Sequence, residues 1–394
     1  MKRSDTIIVV GGGLVGLAVG QRLALSGREV VLIEKENRVA AHQSGHNSGV
    51  VHAGLYYTPG SLKARLCLEG RRLLFDYCQV KGITYDEVGK VVVATSSEQL
   101  ARLDDIEARA HENKVADLRR IGLTELQELE PAASGLGALH SPHTAIVDFA
   151  AVANALAGDI ADAGGQVRLA AQPTSIVETS SGVEIRLQSG ELINGAKLIV
   201  CAGLGTDSVA ALLGRPGAVR IVPFRGSYWR LVPTARQLVN GLIYPVPDPR
   251  YPFLGIHFTR VVGGDVLVGP NAALALGLEA YRRSIVGRDM LRLAQWPGFW
   301  RMAAQNWRTG LHEAMGSASR RHFTAGGRAL VPGLDPADLE AGWAGIRAQA
   351  VDRRGHLLDD FVIDRSDHVT LVRNAPSPAA TSSLAIARHI AAEI

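Results

Sequence analysis

The chain has 394 residues and a formal net charge of +4, with 47% hydrophobic residues, 43 Gly and 17 Pro. That length suits two or three domains with ample cores, and the composition excludes a disordered or collagen-like chain. No dense Lys/Arg block occurs, so nothing points to nucleic acid, and the charge allows only a weak pull toward anionic substrates or a membrane surface.

Lys2 and Arg3 precede an apolar run, as in a secretory leader, but Gly11-Gly12-Gly13 interrupts it and no small-residue cleavage site with polar flanks follows. A strand and turn are therefore expected there. Thr6 to Val10 is apolar and β-branched and reads as a buried strand. Leu14 to Ser26 has helical spacing and stops at Gly27, and Glu29 to Ile33 is a second buried strand. Together they form a parallel βαβ unit. Ala41 to Gly60 is too polar and glycine-rich for a core element. A helix is expected from Leu62 to Val80, ended by Gly82, then a strand at Lys90 to Ala94 and a polar helix near Glu98 to Asn113. Cys67 and Cys78 share the first of these helices, roughly 16 Å apart at the helical rise, too far for a disulfide. With Cys201 they make an odd, scattered set that suits a reducing cytoplasm.

Asp148 is the expected N-cap of a helix over Phe149 to Ala163, stopped by Gly164-Gly165. Strand Gln166 to Leu169 follows, then two alternating runs, Thr174 to Glu178 and Val183 to Leu187, read as a hairpin meander. Lys197 to Cys201 is another buried strand, leading into Ala202-Gly203. From Arg220 to Gly269, strand-like runs alternate with Pro and Gly as in an antiparallel sheet. Leu278 to Asn306 reads as mostly helical, without a strong amphipathic basic helix. The chain closes with strand Val369 to Val372, loop Asn374 to Ala380 and a helix from Thr381. No apolar stretch of about 18 residues suggests a membrane span.

Gly11-Gly12-Gly13-Leu14-Val15-Gly16 matches G-x-G-x-x-G. Gly11 permits the tight turn, Gly13 lets the backbone approach a pyrophosphate, and Gly16 lets the helix sit close to the sheet. Free amides at the helix start, from Leu14 and Val15, favour the phosphate. Glu34 ends the second strand at the spacing of an acid that binds a ribose hydroxyl, and Lys35 follows it. Strand, turn, helix, strand and acid in this order favour dinucleotide binding over a structural turn. The acid does not separate FAD from NAD. A nicotinamide enzyme continues with another crossover helix, whereas this chain enters Ser44-Gly45-His46-Asn47-Ser48-Gly49-Val50-Val51-His52-Ala53-Gly54, which reads as a segment laid along a ligand.

That stretch, continued through Leu55-Tyr56-Tyr57 and Pro59-Gly60-Ser61-Leu62-Lys63-Ala64, resembles the L-2-hydroxyglutarate dehydrogenase/oxidase family of the D-amino-acid-oxidase-like flavoproteins. Pro252-Phe253-Leu254-Gly255-Ile256-His257-Phe258-Thr259 and Asn374-Ala375-Pro376-Ser377-Pro378-Ala379-Ala380-Thr381-Ser382-Ser383-Leu384 resemble it too, in family order. Much of the first block also resembles glycerol-3-phosphate dehydrogenases. The resemblance implies an α/β fold with a Rossmann-type FAD-binding domain, parallel sheet and β-meander, plus an α+β substrate domain with a mostly antiparallel sheet. The FAD-binding domain is expected in residues 1–84, 148–217 and 335–394, and the substrate domain in 85–147 and 218–334. FAD contacts are implied at Ser44, His46, Ser48, Gly49 and Val50, at the backbone of Val177, and at the second glycine turn, Ala202-Gly203. Ser377, Ala379, Ala380 and Thr381 are expected against the flavin, with a helix start facing its pyrimidine edge. Covalent attachment through His46 stays open.

The reaction implied is oxidation of L-2-hydroxyglutarate to 2-oxoglutarate, with hydride transfer to flavin N5 and a base for the hydroxyl proton. His52 and His257 are both candidates for that base. A dicarboxylate needs anion clamps, which Arg provides. Gly345-Ile346-Arg347 resembles a Gly-x-Arg-Pro element whose Arg grips substrate carboxylate, with Ala348 in place of the proline. Arg225 and Arg260 flank the expected substrate sheet, with Tyr244, Tyr251 and Tyr56 as assistants. His42 and His46 have i, i+4 spacing but no helical context, so no metal is expected. Oxygen, a quinone and an electron-transfer protein all stand as acceptors, and quinone-linked members imply a peripheral contact at the inner face of the membrane for a cytoplasmic protein. Oxidation of glycerol 3-phosphate or an amino acid, or a non-catalytic flavin protein, are the alternatives.

Overall fold

The structure is a computed structural model that describes residues 5–248, 254–282, 284–316 and 319–394. Tyr251, Pro252 and Phe253 lie outside the described residues.

The strand Ile7–Val10 runs parallel to Val30–Ile33 on one side and Lys197–Val200 on the other. Gln166–Arg168 and Val369–Asn374 extend this sheet in parallel, and Val362–Arg365 closes one edge antiparallel. Both faces of the central strand are buried, as its unbroken apolar run requires. Ile7 and Val9 face a core built with Leu17, Leu74, Leu156 and Ile390 of four helices. Ile8 and Val10 face the other way, against Ile176 and Ile185 of the meander, so the twofold strand period divides one run between two cores. The helices have clear ends. Asp148 Oδ1 accepts from the Ala150 amide 2.8 Å away at the start of Phe149–Asp162. Ser61 caps Leu62–Lys81, and Gly82 in the left-handed region ends it.

A larger, mostly antiparallel sheet is centred on Val219–Leu231, with Val266–Gly269, His257–Arg260, Leu242–Pro245, Lys90–Ala94 and Gly137–Ser141 in succession. Lys90–Ala94 and Leu242–Pro245 form a parallel pair inside it. The structure differs from the sequence reading in three places. Leu339–Asp352 pairs along Val219–Leu231, from Val219 with Asp352 to Leu231 with Leu339. It therefore joins the larger sheet, although 335–394 was expected to belong wholly to the FAD-binding domain. Its Gly- and Ala-rich sequence carries little strand signal, and its long partner supplies the order. Second, 278–286 is not helical; the helices are Gly287–Ala294 and Pro297–Gly316. Leu291, Trp300, Trp307 and Leu311 are exposed on them, with Arg308 5.3 Å over the Trp307 ring, while Arg292 turns back to the Ser208 hydroxyl at 2.8 Å. Third, the last helix is Ser383–Ala391, two residues later than expected.

Candidate active site

A cavity of about 810 Å³ runs from the carboxyl ends of the parallel strands to the larger sheet, within the usual range of roughly 300–1,000 Å³ for ligand sites. At its first end lies the glycine turn. Gly11 has φ +115°, and a Cβ there would lie 2.4 Å from the Cys201 carbonyl oxygen. A Cβ on Gly16 would lie 2.0 Å from the Gly11 carbonyl oxygen. Gly13 has only the Ser44 hydroxyl nearby. Thus Gly11 and Gly16 keep turn, helix and sheet in contact, while Gly13 leaves room for a ligand. Gly11, Gly13, Leu14 and Val15 line the cavity; Gly16 lies behind them. The Leu14 amide donates to Ser44 Oγ at 2.9 Å, fixing the next loop to the helix start.

Glu34 and Lys35 also line this end. Glu34 Oε2 accepts from the Gly12 amide at 2.6 Å and Oε1 from the Glu36 amide at 2.9 Å, so the carboxylate is held with lone pairs to spare. Lys35 pairs with Glu36 and Glu279. His42 joins these two acids, with Nε2 2.9 Å from Glu36; the Lys35 ammonium sits where a cation would.

The middle of the cavity is closed by two loops. Ser44, His46, Ser48 and Val50 line it from one, and Ser377, Ala379 and Ala380 from the other, with Ala202 and Gly203 beyond. Thr381 joins the loops instead of lining the space: its hydroxyl accepts from the His52 amide at 3.1 Å. Gly70 makes this junction fit, since a Cβ there would lie 2.5 Å from Ser382 Cα. Gly49 lies behind the lining, with its amide donating to Asn47 Oδ1 at 2.9 Å. His46 lies tilted against the Tyr281 ring at 4.5 Å and stands edge-on to Trp343 at 6.3 Å. Burial lowers its pKa.

At the far end, His52, Tyr244, His257 and Arg347 meet around one space. The His257 ring is 4.0 Å from the Tyr244 ring, and its Nδ1 donates to the Gly255 carbonyl at 2.8 Å. Nε2 therefore carries the lone pair. Burial lowers the His257 pKa to about 3, with Lys90 and Arg347 adding to the effect. Burial does the same to His52, again to about 3, with Lys90 and Lys63 contributing. Its Nε2 is 3.4 Å from Ser377 Oγ. Both imidazoles are neutral at pH 7. Arg347 projects into the cavity from Leu339–Asp352, accessible to the space it lines. The protein around it lowers its pKa by desolvation, while Tyr228 and Tyr244 act in the opposite sense.

The profile described as DAO, FAD dependent oxidoreductase, matches residues 6–393. The chain belongs to this FAD-dependent oxidoreductase family. It is 45% identical to an L-2-hydroxyglutarate dehydrogenase of Indibacter alkaliphilus, over 96% of each chain. It is 40% identical to the L-2-hydroxyglutarate dehydrogenase of Escherichia coli, over 98% of this chain and 92% of that one. Among solved structures it resembles the dithionite-reduced, FAD-bound L-α-glycerophosphate oxidase of Mycoplasma pneumoniae, with a TM-score of 0.80 and 21% identity over 98% of this chain and 94% of that one.

FAD is the cofactor of this oxidoreductase family, and the cavity fits it: a glycine cradle at one end, a ribose-type carboxylate beside it, and small residues along the second loop. Four further expected contacts do not line the cavity. Val177 is 50% exposed on the meander and does not line the cavity; Ala171 to Thr174, at the start of its strand and just before it, do. Arg225 is engaged by the Tyr281 carbonyl, 3.0 Å from Nε, and by the Ser227 hydroxyl. Arg260 donates to the carbonyls of Asn240 and Val239 at 2.8 and 3.2 Å. Neither arginine lines the cavity, because each satisfies carbonyls of a neighbouring turn. Tyr56 is likewise behind the lining, 5.1 Å from the Lys90 ammonium by its ring centroid. Tyr228, Asn271 and Lys90 were missed. The first two lie on the larger sheet and the turn beside it, where only three-dimensional pairing reveals which residues face the cavity. Lys90 carried a usable signal, a charge opening an otherwise apolar strand.

Proposed function

We propose that this oxidoreductase converts L-2-hydroxyglutarate to 2-oxoglutarate, as the names of its 40–45% identical relatives suggest for them. The observation that carries the reading is the pairing of an unprotonated His257 Nε2 with Arg347 at one enclosed end of the cavity. Arg347 would grip the carboxylate beside the hydroxyl-bearing carbon and orient it. His257 would take the hydroxyl proton on Nε2, with Nδ1 anchored so that the ring cannot turn away. When bound, FAD supplies the acceptor for the hydride that leaves the same carbon. His52, tied to Thr381 and Ser377, is assigned to holding the two loops against the cofactor.

The cofactor-binding unit is assigned to 1–84, 148–217 and the chain from about 353, and the substrate unit to the rest, because Leu339–Asp352 pairs in the larger sheet. No helix among the described residues is long and apolar enough to cross a membrane. Exposed Trp300, Trp307 and Leu311 on Pro297–Gly316, with Arg308 over the Trp307 ring, support a peripheral contact at the inner face of the membrane for a cytoplasmic protein. That contact favours a quinone as acceptor over oxygen or an electron-transfer protein. The test is anaerobic mixing of the FAD-loaded enzyme with L-2-hydroxyglutarate, glycerol 3-phosphate and amino acids, followed by oxygen or a quinone analogue. Bleaching of the flavin band by L-2-hydroxyglutarate alone is expected. No bleaching by it ends the proposal.

A further inference from the structure

Lys90 is the largest fully buried side chain in the molecule's described residues, 1% exposed. It opens the strand Lys90–Ala94, beside Leu242 of the parallel neighbour that also carries Tyr244. Its ammonium lies 4.1 Å from the centre of the Tyr244 ring and 5.1 Å from that of Tyr56. Tyr244 is in turn stacked on His257 at 4.0 Å. Cation, phenol ring and imidazole thus form one column ending at the cavity.

Buried lysines are ordinarily paired with an acid. Among the described residues none lies within ion-pair distance of this one. The groups facing it are Tyr56, Tyr244, His52, His257 and Cys67. Cys67 is no counter-ion, since burial pushes its thiol up to about 12. Lys63, the other nearby cation, already holds Asp359 at 2.7 Å. The far end of the cavity is therefore short of negative charge. A substrate with two carboxylates brings two, and only Arg347 meets one of them directly.

We propose that Lys90 is a positioning residue that selects a dicarboxylate, taking its missing counter-charge from the substrate's second carboxylate held beside the Tyr244–His257 pair at the cavity end of this column. The proposal rests on the substrate reading above and assigns the second charge that Arg225 and Arg260 do not supply. The aromatic cage stabilises the cation without neutralising it. Burial lowers the Lys90 pKa to about 7, so an arriving dianion restores a proton that the free enzyme holds only in part near neutrality.

The experiment compares the FAD-loaded enzyme with Lys90→Met and Lys90→Arg, using L-2-hydroxyglutarate and L-2-hydroxyvalerate, in which a methyl group replaces the second carboxylate. Lys90→Met is expected to reduce the preference for the dicarboxylate by about tenfold or more, through KM with little change in kcat, while Lys90→Arg keeps it. In the unaltered enzyme the preference in kcat/KM should fall as pH rises through about 7. Calorimetric titration with 2-oxoglutarate near pH 7.5, in two buffers of different ionisation enthalpy, should show proton uptake that both variants lose. A Lys90→Met enzyme with unchanged preference, or uptake that survives the substitution, overturns the assignment. Should Lys90→Met fail to hold FAD, the unaltered enzyme decides: a preference flat across that pH range with no proton uptake overturns it. If L-2-hydroxyglutarate does not reduce the unaltered enzyme, the substrate reading fails, and the 2-oxoglutarate titration still decides the role of Lys90.

Discussion

At the dinucleotide end of the cavity, one short stretch from Gly11 to Glu34 supplies the turn, the helix start and the acid, and Glu34 closes on the Gly12 amide within that stretch. At the far end, Lys90, Tyr244, His257 and Arg347 come from four strands of the larger sheet. The first end tolerates almost no added atom; the second is defined by charges that have been taken out of water. Shape governs one and electrostatics the other, so substitutions at the two ends should fail in different ways.

The largest effect belongs to the shape end. Gly16→Val places a branched side chain where even a Cβ would be 2.0 Å from the Gly11 carbonyl. Purified protein should come out colourless and bind no added FAD, read by absorbance of the flavin band. A yellow Gly16→Val protein would break the comparison.

At the electrostatic end FAD should stay bound while turnover falls. His257→Asn removes the base, and the rate of flavin reduction in single turnover should drop by about 10²–10⁴-fold. Because the His257 pKa lies at about 3, no acid limb from this imidazole is expected between pH 5 and 8. A limb that disappears in His257→Asn would contradict its neutral state. Arg347→Met should cost about 10²–10³ in kcat/KM, as for loss of one partner in a buried charge contact. Arg260→Met, on the same sheet but bound to turn carbonyls, should leave kcat/KM within about twofold. Equal losses in the two variants would restore Arg260 to the site.

Stability sharpens the comparison further. Lys90 titrates at about 7 in the folded chain and at about 10.4 when unfolded. The unfolded chain therefore binds more protons between those values, and the cost of burying the charge is fully present below pH 7 and relieved as pH rises. Lys90→Met should accordingly raise Tm at pH 6, by up to a few kcal/mol of stability on the order set by that shift. The gain should shrink by pH 9. A gain independent of pH would mean that packing, not charge, is responsible. The smallest effect is expected at Val177, which is exposed on the meander. Val177→Glu should change FAD affinity and stability within about 0.5 kcal/mol.

How much could be read from the chain follows the same division. The glycine turn and Glu34 were legible because one βαβ unit carries both, and the Asp148 cap and the stop at Gly82 because each depends on contacts a few residues away in sequence. The parallel strands were legible because burial on both faces leaves an unbroken apolar run. Leu339–Asp352 was not, since its order comes from a partner more than a hundred residues earlier and its small residues carry no strand preference. The outward-facing Leu291, Trp300, Trp307 and Leu311 of Gly287–Ala294 and Pro297–Gly316 were missed because spacing alone does not reveal which face of a helix is exposed.

The sequence by itself determined that a nucleotide cradle exists, where it begins, and which blocks accompany it, because backbone turns and helix ends are local objects. Only the tertiary structure decided that Arg347 faces the cavity while Arg225 and Arg260 bond groups of their own surroundings, and that Lys90 stands behind Tyr244 with no acid in ion-pair reach among the described residues. The physical reason is that a side chain's role depends on which partners surround it and how far it is from water, and here both are set by strands distant in the chain.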